Sequence, residues 1–95
     1  MAKVKTRTFD EAVYLTTPQA LSVYLEDIFE TEDSELITYA LGVAARAKGM
    51  TEVARKTGLS RESLYKALSK EGNPEFATIL KVMRALDLKI TAKAG

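Results

Sequence analysis

The 95-residue sequence contains no cysteine, no histidine and no tryptophan. Without cysteine the chain forms no disulfide, which suits the reducing environment of the cytoplasm. The absence of both cysteine and histidine excludes an ordinary zinc site and a Cys/His nucleophile pair, so we expect no metal and no cofactor. The remaining carboxylates, lysines and hydroxyls include no close Asp/Glu pair in a cleft-forming loop, and we expect no enzymatic activity.

Long hydrophobic runs are also missing. The longest, residues 39–45, is far too short to span a bilayer. The amino terminus has charges but no apolar core behind them, so we expect a cytoplasmic protein with no secretory signal and no membrane contact. Hydrophobic residues make up 46% of the chain, with only two prolines and five glycines. This composition argues against disorder and favours an all-α fold, a compact helical bundle.

The net charge of +1 hides two halves of opposite sign. Residues 1–45 carry three Lys or Arg and eight Asp or Glu, a net charge of −5, whereas residues 46–95 carry eleven and five, a net charge of +6. The basic half attracts phosphate, and the acidic half suits a basic partner or is simply a solubilising surface. The acidic face consists of Glu26, Asp27, Glu30, Glu32 and Asp33.

Apolar residues recur at helical spacing along most of the chain. Thr17 followed by Pro18 marks one helix start, and Asp33 marks another, since both cap residues accept hydrogen bonds from free amides. We expect an acidic helical extension over residues 1–33 and a basic helical unit over residues 34–95, which together form one compact unit. The predicted helices span residues 9–15, 18–30, about 34–48, 51–57, 61–69 and 75–86.

The carboxyl-terminal region shows two further patterns. Residues 88–93 alternate apolar and polar side chains, which predicts a short strand that needs a partner strand. The helix before it has a predicted inner face of Phe76, Ile79, Leu80, Met83 and Leu86.

The most informative stretch is residues 50–69, where two short helical patterns flank Gly58. Glycine tolerates the positive φ of a tight turn, Ser60 suits an N-cap, and Leu64 begins an inward apolar face. The pattern predicts a helix-turn-helix whose second helix presents a polar, cationic face to the major groove. It resembles the phage-repressor/Cro type, and we therefore expect residues 34–95 to be the DNA-binding domain. Thr57 stands where that type usually has an apolar residue, which predicts a slightly looser turn.

The outward face of the second helix supplies the candidate DNA contacts. Arg61 and Lys66 either contact bases and phosphates or form a solvated pair. Tyr65 either touches a sugar or thymine methyl or covers apolar surface, and Glu62 either accepts from cytosine or stabilises the helix N-terminus. The predicted DNA-binding residues are Thr51, Ser60, Arg61, Glu62, Tyr65, Lys66, Ser69 and Lys70. Further cations that flank this set, some of which we expect on the DNA backbone, are Arg46, Lys48, Arg55 and Lys56.

Two motifs resemble a known family. Leu64-Tyr65-Lys66-Ala67-Leu68 and Asn73-Pro74-x-Phe76 are the most specific parts of a likeness, from Phe9 onward, to the "probable addiction module antidote" family. The resemblance implies the antitoxin of a toxin–antitoxin pair, with a Xre-like DNA-binding domain. It also implies repression of the shared promoter and neutralisation of a RelE/ParE-like toxin. Relatives often have glycine at the position of Asp87, where a helix ends.

Two other functions fit the same residues. A stand-alone helix-turn-helix regulator would use the same DNA surface without a toxin, and a small basic reading frame co-transcribed with the gene would argue against it. A helical adaptor would use its basic helix to bind an acidic protein, and duplex DNA binding with a steep salt dependence would argue against that. Because one short helix reads few bases, useful DNA specificity needs a homodimer on operator half-sites about one helical turn apart.

Overall fold

The computed structural model of the chain describes residues 15, 17–69 and 71–95. The regular structure of these residues is entirely helical, which confirms the predicted all-α class. No helix in the described ranges is both long enough and apolar enough to cross a membrane. The helix predicted for residues 9–15 lies outside the described residues except for Leu15, which is buried. The helices are α1 (Pro18–Phe29), α2 (Ser34–Lys48), α3 (Met50–Thr57), α4 (Arg61–Ala67) and α5 (Phe76–Ala85).

Side-chain caps set the starts of α1 and α2, as the sequence predicts. The Thr17 hydroxyl accepts a hydrogen bond from the Ala20 N–H at 3.1 Å, and Pro18 occupies the first turn, where an N–H would lack a partner. One carboxylate oxygen of Asp33 accepts from two amides in the first turn of α2, each at 3.1 Å. The short link between these caps allows α1 to pack against α2.

Helix α3 lies at the centre of the fold because it packs against α2, α4 and α5. Its Val53 has no exposed surface, and the same is true of Leu64 in α4 and Val82 in α5. Burying each such side chain contributes about 1.5–3 kcal/mol. Leu21 and Leu25 of α1 belong to the same apolar cluster, so one core connects all of these helices.

The backbone just after α4 lies directly against α2, and this contact holds the carboxyl-terminal end of α4. A Cβ atom at Gly42 would lie 2.9 Å from the carbonyl oxygen of Leu68, which is closer than real Cβ atoms approach. Glycine at this position therefore lets the backbone after α4 rest directly on α2. Helix α4 is held by α3 along its length and by α2 at its end.

The turn between α3 and α4 depends on Gly58 and on the residue before it. Gly58 has a φ of 79°, in the left-handed region that glycine adopts without strain. The prediction that Thr57 loosens the turn is wrong. Its buried hydroxyl donates to the Ala54 carbonyl at 3.3 Å and accepts from the Leu59 N–H at 3.2 Å. Thr57 thus provides an acceptor for an amide in the turn and ties the turn to α3.

Helix α5 forms as predicted, and its predicted inner face is correct in part, since Met83 and Leu86 are buried and Ile79 packs against the core. Phe76 and Leu80, which the spacing predicts to lie inside, are 65% and 36% exposed. Apolar residues occur around most of this helix, so periodicity alone leaves its orientation undetermined. The buried residues of α5 and its carboxyl-terminal cap are Val82, Met83, Ala85 and Leu86.

The strand predicted for residues 88–93 is absent from the described part of the chain. The Leu88 N–H donates to the Met83 carbonyl at 2.9 Å, and no described residue after it makes a backbone hydrogen bond to another. A strand forms only beside a partner that satisfies these groups. Leu88 and Ile90 instead line a cleft together with Leu25 of α1, so the tail lies along that helix.

Replacing Thr57 by Val tests the turn, because the two side chains have nearly the same shape. The Leu59 amide then loses its acceptor, and we expect the free energy of unfolding to fall by about 1–2 kcal/mol in urea titrations. Hydrogen exchange of the Leu59 amide should become faster in this variant. Thr57→Ser keeps the hydroxyl and should keep the slow exchange. Unchanged stability and exchange in Thr57→Val would contradict this account of the turn.

Candidate nucleic-acid interface

Helix α4 is a seven-residue helix anchored along one side. Leu64, on its inner side, is fully buried, and Leu68, just after its end, is 4% exposed. These two residues are four apart, so they anchor the same face of consecutive turns. The opposite face of α4 consequently projects into solvent.

Ser60 starts α4 as its N-cap, which confirms the predicted cap. Its hydroxyl accepts from the Ser63 N–H at 2.9 Å and donates to the Ser63 hydroxyl at the same distance. Ser63 is exposed and is absent from the residues predicted from sequence. The spacing of two serines three apart at a helix start is the signal that identifies this pair.

The solvent face of α4 brings together four of the predicted residues, Arg61, Glu62, Tyr65 and Lys66, and all of them are exposed. They share this face because residues four apart lie one above the other on a helix. Among the described residues, neither Arg61 nor Lys66 forms an ion pair. Within that part of the chain, no neighbouring carboxylate neutralises either charge, so both remain available to an anion.

The other predicted residues lie elsewhere. Thr51 is exposed in the first turn of α3, and Lys70 lies outside the described residues. Ser69 is half-buried, and its hydroxyl donates to the Lys66 carbonyl at 2.9 Å. Like Ser60, it already uses its hydroxyl proton within the chain, so donating to a phosphate would require breaking an internal bond.

Glu52 pairs with two of the flanking cations and offsets part of their charge. Its carboxylate lies 2.6 Å from the Arg55 guanidinium and 3.8 Å from the Lys56 ammonium, both one turn further along α3. The hydrogen bond from Arg55 is the main cause that lowers the pKa of Glu52 below its ordinary value. Arg55 and Lys56 therefore have less free charge for an external anion than Arg61 and Lys66.

Lys48 has a partner of its own at the end of α2. Its ammonium lies 3.5 Å from the carboxylate of Asp87. Asp87 has a φ of 61°, a conformation that glycine adopts more readily. The aspartate thus ends α5 in the left-handed conformation and also pairs with a cation of another helix.

A cleft of about 310 Å³ lies between α4 and α2. Tyr65 lines it from α4, while Tyr39, Gly42 and Arg46 line it from α2. Nearly half of the Tyr65 surface, 48%, remains exposed. Its ring therefore covers part of this mainly apolar cleft and is still accessible from the solvent face of α4. This position is compatible both with contact to a sugar or thymine methyl and with coverage of apolar surface.

Comparison with known proteins places the chain in a family. Residues 5–94 match the family described as "Probable addiction module antidote protein". The chain belongs to this family. A protein of Haemophilus influenzae, described as uncharacterized, is 51% identical over 83 residues, which cover 87% of this chain and 86% of the relative. No solved structure matches the chain significantly.

Membership of the addiction module antidote family indicates an antitoxin and implies a toxin partner of some kind. It confirms the resemblance drawn from Leu64–Leu68 and Asn73–Phe76. The match extends over all five described helices, so it includes both the acidic α1 and the cationic face of α4.

Glu52→Gln removes the carboxylate that pairs with Arg55 and Lys56. Because the pKa of Glu52 is lowered in the folded chain, its pairing stabilises the fold above the ordinary pKa of 4.5. That contribution is lost as the pH falls through the lowered pKa. We expect the variant to have a lower Tm than the wild type at pH 7, and the difference between the two Tm values to shrink as the pH falls below 4.5.

Thermal unfolding followed by circular dichroism measures both Tm values. The matched control is Glu62→Gln, which also removes a carboxylate from the first turn of a helix but no ion pair among the described residues. The difference in Tm between this control and the wild type should change less with pH than the difference between Glu52→Gln and the wild type. A Glu52→Gln difference that stays the same from pH 7 to acid would contradict the ion-pair explanation.

Proposed function

We propose that the chain is an antitoxin that binds its own operator DNA as a dimer and neutralises a RelE/ParE-like toxin. In this proposal α3, the Gly58 turn and α4 form a phage-repressor-like helix-turn-helix. The observation that supports DNA binding most directly is the solvent face of α4, where Arg61 and Lys66 are exposed without an ion pair among the described residues.

The dimensions of α4 suit the major groove. An α-helix with its side chains is about 10–12 Å across, and the major groove is about 12 Å wide. Arg61 lies in the first turn, the part of a recognition helix that usually reaches base edges, and its planar guanidinium pairs well with guanine. Lys66 lies in the last turn and contacts a phosphate or a second base.

DNA contacts from residues outside α4 depend on which side chains are already paired within the chain. Thr51 is exposed in the first turn of α3, where phosphate contacts are common in this motif, so its hydroxyl is a backbone donor in the proposal. Arg55 and Lys56 contribute less because Glu52 holds them. Specificity requires a second copy, since one short helix reads few base pairs and two half-sites lie about one helical turn apart.

Arg61→Ala/Lys66→Ala tests the DNA-binding proposal in gel-shift titrations on the promoter of the chain's own gene. Each lost contact costs about 1–3 kcal/mol, so we expect Kd to rise at least about 10-fold. If a dimer neutralises about six phosphates, the slope of log affinity against log salt should be near −5 for the wild type and shallower for the variant.

The matched control is Lys89→Ala/Lys93→Ala, which removes the same charge from the exposed tail beside α1. Its operator affinity should stay near that of the wild type. If the α4 variant bound the operator as tightly as the wild type, or if both variants lost affinity equally, α4 would not be the recognition helix.

The solvent face of α1 supports the toxin-binding half of the proposal. Glu26, Asp27 and Glu30 are exposed on this helix, and the apolar Val23 is 60% exposed. Asp33 belongs less to this surface because its carboxylate caps α2. An apolar residue beside several carboxylates suits a basic surface on the toxin, since complementary charge speeds association and fixes its orientation.

Asp27→Lys/Glu30→Lys reverses the charge of this face without removing buried residues of α1. We expect affinity for the product of the neighbouring, co-transcribed gene to fall at least about 10-fold in calorimetric titrations. The control, Glu62→Lys/Glu71→Lys, makes the same charge change on α4 and just after it, and should bind normally. Equal toxin affinity in both variants would argue against α1 as the binding surface.

A further inference from the structure

The carboxyl-terminal tail, residues 89–95, forms one side of a cleft, and α1 forms the other. The space between them has a volume of about 340 Å³. The cleft residues of α1 are Ser22, Leu25, Glu26, Phe29 and Glu30, and those of the tail are Lys89, Ile90, Thr91 and Lys93. The tail therefore covers part of α1 without filling the space against it.

The α1 side of the cleft combines apolar surface with two carboxylates. Leu25 is buried and Phe29 is half-buried, and both line the cleft with apolar atoms. Glu26 and Glu30 are exposed and lie one turn apart. Within the described residues neither forms an ion pair. These two carboxylates also belong to the solvent face of α1 proposed above to bind the toxin, so the cleft is continuous with that face.

The tail side of the cleft has the opposite charge and one large apolar side chain. Lys89 and Lys93 stand on either side of Ile90 in the sequence, and all three line the cleft. In the part of the chain that the structure describes, neither lysine lies within ion-pair distance of a carboxylate. Ile90 keeps 39% of its surface exposed. The tail thus matches α1 in chemistry, but weak, solvent-exposed contacts hold it there.

The backbone of the tail is fixed only where it begins. The Leu88 N–H donates to the Met83 carbonyl, and the Leu88 side chain packs against the core. No described residue after Leu88 makes a backbone hydrogen bond to another. Few contacts are lost when such a segment leaves α1, so its detachment costs little free energy.

We propose that the toxin inserts a segment into this part of α1 and that the tail competes with that segment inside the free chain. The inference rests on the toxin binding proposed above, and it names the groove and the competitor. The segment that fits has a large apolar side chain with cations beside it, which is the chemistry that the tail itself supplies. An acidic segment or a DNA phosphate would be repelled by Glu26 and Glu30.

The tail has the advantage of being attached to the chain. A short tether gives it an effective concentration in the millimolar range, so a free segment with the same contacts would compete poorly. The toxin needs further contacts, and Val23 and Asp27 provide them, because they lie on the solvent face of α1 outside the cleft. A partner that uses both surfaces displaces the tail, whereas a basic segment that fits only the cleft does not. The tail thus increases the selectivity of α1.

Ile90→Asn in the full chain weakens the hold of the tail on α1 without changing any charge. If the tail covers the cleft about nine-tenths of the time, it weakens the apparent toxin affinity about 10-fold. We therefore expect the variant to bind the product of the co-transcribed gene about 3- to 10-fold more tightly in calorimetric titrations. The matched control is Leu80→Asn on α5, outside this cleft, where the exposed fraction is 36% against 39% for Ile90. Its toxin affinity should stay unchanged.

A cross-link tests the competition in the opposite direction. The natural chain has no cysteine, so Ser22→Cys/Thr91→Cys introduces its only two thiols, one on each side of the cleft. A bis-maleimide with an internal disulfide should join them and hold the tail on α1. The linked chain should bind the toxin at least about 10-fold more weakly, and reduction of the linker should restore affinity. The reduced chain is the matched control, because it carries the same attached groups with the tail released.

NMR spectra of the isotope-labelled full chain show where the tail goes. On addition of unlabelled toxin, the amide signals of residues 89–95 should sharpen, because the displaced tail moves freely. Four results would overturn the competition. They are signals that broaden or shift as the tail becomes ordered against the toxin, an Ile90→Asn variant that binds no more tightly than the wild type, thiols that the linker does not join, and a linked chain with full toxin affinity.

The toxin surface itself is tested separately by Asp27→Lys/Glu30→Lys. If that variant loses toxin affinity while Ile90→Asn gains none, the tail does not compete, and α1 remains the toxin-binding surface. If the wild type does not bind the product of the co-transcribed gene, the toxin-binding proposal fails, and this inference fails with it.

Discussion

The burial of Leu64 against α3 is the contact on which the candidate interface depends. It anchors a helix of only seven residues, which would not be stable alone. The left-handed Gly58 and the hydroxyl of Thr57 fix the direction in which that helix leaves α3. Close packing of Gly42 on the backbone of Leu68 holds its other end. These contacts hold the buried face of α4 and thereby set the direction in which its exposed face points.

The placement of carboxylates decides which cations have free charge. Glu52 holds Arg55 and Lys56, and Asp87 holds Lys48, whereas no described carboxylate pairs with Arg61 or Lys66. The basic half of the chain is thus divided into cations that support the fold and cations that remain available. This division agrees with the proposal that α4 alone reads DNA bases and that the residues around it contribute less.

Local signals in the sequence were reliable where chemistry within a few residues decides the structure. Thr17, Asp33 and Ser60 cap the helices that follow them, and Gly58 takes the left-handed conformation expected of it. Predictions of how a helix is rotated toward the core and of which segment pairs as a strand were less reliable. The exposed Phe76 and the strand that does not form at 88–93 show this. Both depend on what lies opposite a segment in space, and helical or alternating patterns carry no information about that.

The sequence by itself determined the helical class, the helix starts, the division into acidic and basic halves and the family, because each depends on composition or on residues close together in the chain. The tertiary structure alone decided that Thr57 closes the turn and that Glu52 pairs with two cations. It also decided that α5 turns Phe76 and Leu80 outward. Side-chain burial and pairing are set by the competition among all helices for one small core, and that competition is resolved only when the chain is folded.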